Sequence, residues 1–336
     1  MNSPVHLPDS WQTLLSQTID TPKALIEYLQ LPQEMLAPAI DASRGFPLRV
    51  PTPFLDRIEK GNPDDPLLRQ ILPLGDELIA VPGFVTDPLA EMNANHQDGL
   101  IHKYQGRVLL IVTGACAINC RYCFRRHFPY QDNRLGPDQW QRVLEYIAAD
   151  SSITEVIFSG GDPLVSSDSR LQKMIQDLEQ IEHLQRLRIH SRLPVVIPQR
   201  ITEPFTDMLR NSRFNIVTVF HINHANEIDQ SVSQAARRLQ QAGATVLNQA
   251  VLLRGVNDSV TAQKQLSEAL FNSGILPYYL FTFDPVAGAA HFDIPDHEAQ
   301  QLMQQLHREL PGYLVPKLAR EVPGKGSKTL LPISFT

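Results

Sequence analysis

The sequence predicts an α/β protein built around a partial (β/α)6 barrel. From Leu100 onward, short β-branched runs alternate with amphipathic segments, which is the pattern of repeated βα units. Six such units fall short of a complete eight-stranded barrel. The expected strands lie near 107–113, 154–158, 186–190, 215–220, 244–250 and 277–283. The expected helices lie near 137–149, 168–182, 202–211, 226–242, 259–273 and 295–310.

The sequence predicts three regions along the chain. Residues 1–99 mix short helical patterns, such as Trp11 to Leu29, with proline-rich connections such as Pro51 to Phe54. We therefore expect a mainly helical N-terminal extension over 1–99, a core barrel over 100–310 and a separate C-terminal segment over 311–336.

Composition and charge exclude several classes of protein. The 336 residues with 43% hydrophobic content can bury a large core. The 30 basic and 36 acidic residues give a net charge of −6, which offers no general footprint for nucleic acid. The longest apolar run, Val108 to Val112, is far too short to cross a membrane. Met1 to Pro8 lacks the basic start and apolar centre of a signal peptide. We expect a soluble enzyme of the reducing cytoplasm.

All three cysteines lie in one stretch, Cys116-Ala-Ile-Asn-Cys120-Arg-Tyr-Cys123. Thiolates three and four positions apart can converge on one metal centre. Three thiolates would bind three irons of a 4Fe-4S cluster and leave the fourth iron open to another ligand.

Other interpretations of the cysteines are weaker. His127 could complete a Cys3His zinc site, but a closed structural clip is little needed in a chain of this length. Cys120 and Cys123 are too close for a comfortable disulfide, and an odd thiol would remain. Three inert buried cysteines would rarely fall in one loop. The pattern favours the cluster over zinc.

Two glycines follow the apolar run Thr154 to Phe158 in the stretch Ser159-Gly160-Gly161-Asp162-Pro163. Alone, such a stretch most often forms a turn. Paired glycines also let a ligand approach the backbone closely. Ligands of parallel α/β folds gather at the carboxyl ends of strands, where both this stretch and the cysteines are expected.

A glycine- and lysine-rich stretch lies near the end of the chain, Pro323-Gly-Lys-Gly-Ser-Lys328-Thr329. A phosphate-binding loop is disfavoured because Ser327 replaces its second glycine and Pro332 follows too soon for a helix. A flexible basic tail is the default for such a segment. From these residues alone its role stays open.

The motifs together resemble a known family. The spacing C-x3-C-x2-C, with an aromatic residue before the last cysteine, is similar to the signature of radical S-adenosylmethionine (SAM) enzymes. With four further segments, the chain resembles the lysine 2,3-aminomutases from about Pro51 to Pro332. Within that family it is most similar to the short bacterial branch that makes β-lysine for modification of elongation factor P. The segments are Phe124 to Arg126, Ser159 to Leu164, His190 to Thr202 and Asn248 to Asp258, and the marks of the short branch are Glu59 to Arg69, Arg125 to Tyr130 and Tyr313 to Glu321.

The resemblance implies a 4Fe-4S cluster, SAM and pyridoxal 5′-phosphate (PLP). PLP would be attached to the amine of Lys328, and the C-terminal segment would be the PLP-binding one. Lys103 stands where the family commonly has an arginine. His221 would lie beside the adenosine, although a satisfied core histidine is the alternative. The cluster ligands would be Cys116, Cys120 and Cys123, the SAM contacts Ser159, Gly160, Gly161 and Asp162, and the PLP contacts Arg107, Lys103 and Gln249.

The resemblance also implies a reaction. A radical derived from SAM would take hydrogen from the β-carbon of lysine, and the amino group would migrate from C2 to C3. Arg125 would bind the substrate carboxylate, which suits a planar guanidinium. Asp284 would bind the far amine, with help from Glu321 at a position where the family has aspartate. The chain has no cysteine after Lys328, so the inter-subunit zinc site of longer aminomutases is not expected.

Partners and alternative functions follow from the same resemblance. It implies an electron donor protein and a functional link to elongation factor P and its lysine ligase, and it leaves homo-oligomerisation open. The alternatives are a radical SAM aminomutase that acts on another amino acid, a radical SAM enzyme without PLP, and a non-catalytic metal-binding scaffold.

Overall fold

The computed structural model describes residues 10–131, 133 and 135–334. The segment Met1 to Pro8, in which the sequence predicts no signal peptide, lies outside the described residues.

The N-terminal region contains short helices and one small two-stranded sheet. The helical pattern predicted from Trp11 to Leu29 is split in two, because the Thr21 side chain caps a new helix that has Pro22 in its first turn. The helices are α1 (Trp11–Ser16), α2 (Pro22–Leu29), α3 (Leu36–Gly45), α4 (Thr52–Leu55) and α5 (Pro66–Arg69), and β1 (Thr18–Ile19) pairs antiparallel with β2 (Val50–Pro51).

Ten strands of the described residues form one sheet whose edges do not pair with each other. The order follows the chain from β3 to β12, and β5 to β11 are parallel. This open parallel sheet confirms the predicted α/β partial barrel. The strands are β3 (Asn95–Gln97), β4 (Leu100–Tyr104), β5 (Arg107–Thr113), β6 (Glu155–Gly160), β7 (Arg186–Ser191), β8 (Asn215–Phe220), β9 (Thr245–Val251), β10 (Leu276–Phe281), β11 (Lys317–Arg320) and β12 (Thr329–Leu330).

The six strands and six helices predicted for the core are confirmed to within a few residues. Each helix turns an apolar stripe toward the sheet; α10, for example, buries Val232, Ala235, Ala236 and Leu239. The helices are α6 (Pro137–Ala149), α7 (Asp168–Glu179), α8 (Leu193–Val196), α9 (Glu203–Arg210), α10 (Gln230–Gln241), α11 (Val260–Asn272) and α12 (Asp296–Glu309). Short 3-10 helices lie at Gln33–Met35, Gly75–Leu78, Glu91–Ala94, Pro163–Val165, Pro198–Arg200, Ala225–Glu227, Ala290–Phe292 and Gly312–Leu314.

The sequence did not predict β11 or β12. β11 has only four residues and lacks β-branched ones, so it carries no strand pattern of its own, and it forms because β10 offers it a parallel partner. β12 then turns back antiparallel to β11, with Arg320 opposite Thr329. That register places Glu321 and Lys328 at the two ends of one hairpin loop.

No helix in the described part of the chain combines the length and the apolar character that a membrane span requires.

Candidate active site

One cavity of about 740 Å³ extends along the parallel strands, from Arg107 and Glu155, the first residues of β5 and β6, to the loops that follow the strands. Its volume falls within the range typical of cofactor and substrate sites. The structure places every residue nominated from the sequence on the cavity wall: Lys103, Arg107, Cys116, Cys120, Cys123, Arg125, Ser159, Gly160, Gly161, Asp162, His221, Gln249, Asp284, Glu321 and Lys328.

The cysteine loop follows β5 directly, and all three thiols face the cavity. Burial raises the pKa of the Cys116 thiol well above its usual range and that of Cys123 to about 12. His127 is exposed, and its Nε2 lies 3.1 Å from the Ala287 carbonyl oxygen. Across the described residues, no three His, Cys, Asp or Glu side chains are placed to hold one metal ion together. The structure therefore gives no support to the Cys3His zinc clip.

A buried arginine that sequence reasoning missed supports the cysteine loop. Arg192 Nη1 donates to Cys120 Sγ at 2.7 Å. Its Nη2 donates to Gln70 Oε1 at 2.7 Å and to Glu227 Oε2 at 2.9 Å. The guanidinium also lies 5.5 Å from the centre of the Tyr122 ring. The available signal was its position directly after the predicted strand that ends near His190.

The two glycines of the second motif are required by packing. Gly160 has φ of +120°, and a Cβ there would lie 2.4 Å from the Thr113 carbonyl oxygen. A Cβ on Gly161 would lie 2.5 Å from the Ala115 carbonyl oxygen. The motif thus packs against the backbone that leads into Cys116. The Gly160 carbonyl, which accepts from Tyr130 Oη at 2.9 Å, stands on the cavity wall.

Asp162 joins the loops that follow β6 and β7. Its carboxylate accepts hydrogen bonds from Ser191 Oγ at 2.6 Å and from the backbone N–H groups of Arg192 (2.8 Å), Leu193 (2.9 Å) and Leu164 (3.1 Å). These bonds occupy both carboxylate oxygens, so the residue fixes the shape of the cavity wall. Its predicted contact with SAM stays a prediction.

His221 lies at the carboxyl end of β8. Its Nε2 is 3.4 Å from His190 Nδ1, and burial lowers its pKa to about 4, with further lowering by Arg192 and Arg125. The imidazole is therefore neutral at physiological pH.

The opposite end of the cavity carries Lys328. Its amine forms an ion pair with Glu321 Oε2, and Lys103 Nζ lies 2.7 Å from Glu321 Oε1. Burial lowers the pKa of Lys328 to about 7, and repulsion from Lys103 acts in the same direction. The negative charges of Asp284 and Glu91 oppose that lowering. Lys103 thus belongs to a carboxylate network, and its predicted contact with PLP stays a prediction.

Asp284 follows β10 and faces the same cavity. Burial raises its pKa to about 6, and Lys328 opposes the rise. Its carboxylate has no hydrogen bond or ion pair with any other described residue, although Glu321 and Glu91 nearby are both paired. Asp284 is half-buried, and an ammonium group bound in the cavity would stabilise its charged form.

Arg125 follows the cysteine loop and is 8% exposed. Its Nε and Nη2 donate to the two carboxylate oxygens of Glu91 at 2.6 and 2.9 Å. Its Nη1 donates to Ser159 Oγ at 3.1 Å and to the Gly160 carbonyl at 3.2 Å. Sequence reasoning missed Glu91, which lies in a part of the chain with no motif.

Two further polar side chains reach the cavity. The Arg107 guanidinium lies 4.7 Å from the centre of the Tyr104 ring, and Gln249 lies on β9. Neither side chain has a hydrogen-bonding partner among the described residues, so both can serve a ligand.

Comparison with known proteins gives consistent matches. Residues 110–262 match the model of the radical SAM superfamily. The chain is 53% identical to an L-lysine 2,3-aminomutase of Haemophilus influenzae over 96% of this chain and 95% of that protein. It is 51% identical to the L-lysine 2,3-aminomutase of Escherichia coli over 100% of this chain and 97% of that protein. The enzyme of the same name from Clostridium subterminale is 34% identical over 96% of this chain and 77% of its own length.

Proposed function

The chain belongs to the L-lysine 2,3-aminomutase family of radical SAM enzymes, and we propose that it moves the α-amino group of L-lysine to the β-carbon, giving β-lysine. It is an isomerase, and its family implies a 4Fe-4S cluster, SAM and PLP. One observation carries the proposal. Three thiols, a buried arginine, an amine of lowered pKa and an unpartnered carboxylate line a single cavity.

The side chains present fit the three groups. The cysteine loop offers three soft ligands, and Arg192 already donates to one sulfur, as a hydrogen bond to a cluster thiolate would require. At the other end, burial lowers the pKa of Lys328 to about 7, which favours the neutral form of the amine that joins an aldehyde. Arg107 and Gln249 hold free donors for a phosphate and a ring substituent. Gly160 and Gly161 let this loop pack against the backbone that leads into Cys116, and SAM would bind beside them.

The cluster with SAM would supply hydrogen abstraction from an unactivated C–H bond, and PLP would supply a conjugated system that spreads unpaired spin. The protein's own task is positioning. Arg125 lies near the cysteine end, and Asp284 lies near Lys328, so the two ends of the cavity attract opposite charges.

Lysine matches this distribution of charge. We assign Arg125 to the α-carboxylate, because the guanidinium is buried and offers a planar edge. We assign Asp284 to the ε-ammonium, because its carboxylate is half-buried on the cavity wall and has no partner among the described residues. Glu321 would assist once Lys328 leaves it. A site built in this way rejects amino acids whose side chain lacks the far amine.

We further propose that the β-lysine serves modification of elongation factor P through its lysine ligase, in the cytoplasm, with electrons from a redox protein. The support is the likeness of Glu59 to Arg69 and Tyr313 to Glu321 to the short bacterial branch. A cell that lacks this chain should lose the β-lysine mass increment on elongation factor P, and added β-lysine should restore it. If elongation factor P keeps the increment in that cell, the proposed link to elongation factor P is wrong.

The enzyme assay is direct. The anaerobically purified protein is analysed for iron, sulfide and PLP, then incubated with lysine, SAM and dithionite. We expect β-lysine in the derivatised amino acids by chromatography. A protein with full cluster and PLP content that cleaves SAM and yields no β-lysine would contradict the proposed substrate.

A further inference from the structure

Glu91 lies at the junction between the N-terminal region and the cavity. It begins the 3-10 helix Glu91–Ala94. Its backbone N–H donates to Asp87 Oδ1 at 3.0 Å, and this bond holds the turn that precedes the helix. Glu91 is only 4% exposed, although it carries a carboxylate. Buried carboxylates of this kind are retained only when they are well paired.

Glu91 pairs with two cations at once. It accepts two hydrogen bonds from Arg125, and its Oε1 also lies 3.4 Å from Lys103 Nζ. Lys103 in turn contacts Glu321, which pairs with Lys328. Glu91 is thus the link between the arginine at one end of the cavity and the amines at the other.

The hydrogen bonds of Arg125 show which of its N–H groups is left for a ligand. A guanidinium has five N–H groups. Glu91 takes the Nε/Nη2 edge with a charge-assisted bidentate pair. The Nη1 bonds go to neutral partners, a hydroxyl and a carbonyl, and one Nη2 hydrogen has no partner among the described residues. A substrate carboxylate can therefore accept this free Nη2 hydrogen while Glu91 keeps the Nε/Nη2 edge.

We propose that Glu91 is a positioning residue that holds Arg125 with its free Nη2 hydrogen toward the substrate carboxylate and neutralises Lys103 beside it. Without that charge, Arg125 and Lys103 would repel each other in a buried site, and the guanidinium could turn away from the cavity. The inference rests on the proposed function, because it assumes that Arg125 binds the carboxylate of lysine.

The test compares two ligands with and without Glu91. Holoenzyme without SAM and reductant is titrated with L-lysine and with L-lysinamide, which lacks the carboxylate charge, and the PLP absorbance is followed. Glu91→Gln should raise the Kd for lysine about tenfold or more and change that for lysinamide less than about twofold. Iron and PLP content should match the parent. Glu298→Gln, in an exposed ion pair, is the matched control and should change neither constant.

Each result decides the question. Equal changes for both ligands, or no change for lysine, would overturn the role of Glu91. If Glu91→Gln fails to fold, Glu91→Asp keeps the charge but is one methylene too short to reach both Arg125 and Lys103. It should still weaken lysine and spare lysinamide, and an unchanged Kd for lysine would overturn the role. A parent enzyme that does not prefer lysine to lysinamide would instead contradict the assignment of Arg125.

Discussion

The two ends of the cavity differ in how their charged side chains are paired. At the cysteine end, Arg192 donates to Cys120, Gln70 and Glu227, and Asp162 accepts four hydrogen bonds. At the lysine end, Asp284 has no partner among the described residues, and the pKa of Lys328 falls to about 7. The protein pairs the charges of Arg192 and Asp162 itself at the first end, whereas at the second end it leaves Asp284 for a ligand. Substitutions should therefore damage separable properties at the two ends.

The largest effect is expected at the cysteine end. Cys120→Ala should lose bound iron and all SAM cleavage, because three thiolates leave no spare ligand for the cluster. PLP should still attach to Lys328, since that end has its own contacts. Iron analysis, electron paramagnetic resonance and the release of 5′-deoxyadenosine measure the first effect, and borohydride reduction measures the second. A complete cluster with SAM cleavage in this variant would contradict the cluster assignment.

The converse variant is Lys328→Ala. It should keep the cluster and lose the borohydride-reducible PLP link, because Lys103, the neighbouring amine on this wall, is held by both Glu91 and Glu321. Lys325→Ala is the matched control, since Lys325 is exposed in the same hairpin loop and does not line the cavity. Peptide mapping after reduction locates the pyridoxyl group. Finding it on Lys325 would show that the loop has been assigned wrongly.

Asp284→Asn should keep both the cluster and PLP bound and still weaken turnover of lysine. A buried ammonium that loses its carboxylate costs roughly 3–5 kcal/mol, or about two to four orders of magnitude in kcat/KM. Iron content, the Lys328 link and uncoupled SAM cleavage should stay at parental levels. Asp207→Asn, in a surface pair with Arg210, serves as the control. For the same reason norleucine should be a very poor substrate.

Two results would show that the amine of lysine is recognised elsewhere. One is near-parental formation of β-lysine by Asp284→Asn, and the other is comparable isomerisation of norleucine by the parent. Both are measured by chromatography of derivatised products.

The smallest effect is a dependence on pH that belongs to the lysine end. A lysine amine adds to an aldehyde only when it is neutral, and burial lowers the pKa of Lys328 to about 7. The rate of PLP attachment to the apoprotein should therefore rise roughly tenfold per pH unit below about pH 7 and level off above it. Stopped-flow absorbance measures the rate. A rate that keeps rising toward pH 10 would indicate an ordinary lysine amine.

Much of the fold was predictable because its repeats are long and regular. The six core strands and their helices show periods of two and 3.6 in the sequence, and each was confirmed. β11 and β12 were not predictable, since four and two residues hold too little pattern. The Thr21 and Pro22 pair that splits the first helical pattern was a readable signal that the prediction over Trp11 to Leu29 passed over.

The sequence alone determined the chemistry of the cysteine end, because Cys116, Cys120 and Cys123 are neighbours in the chain and one loop keeps them together. It also identified Lys328 and Asp284 through resemblance. Only the tertiary structure decided their surroundings. The β11–β12 hairpin brings Glu321 to Lys328, and a turn near Glu91 brings a carboxylate to Arg125 from 34 residues away. Such contacts depend on burial and on strand register between segments that are separated in the sequence. No local sequence pattern predicts them.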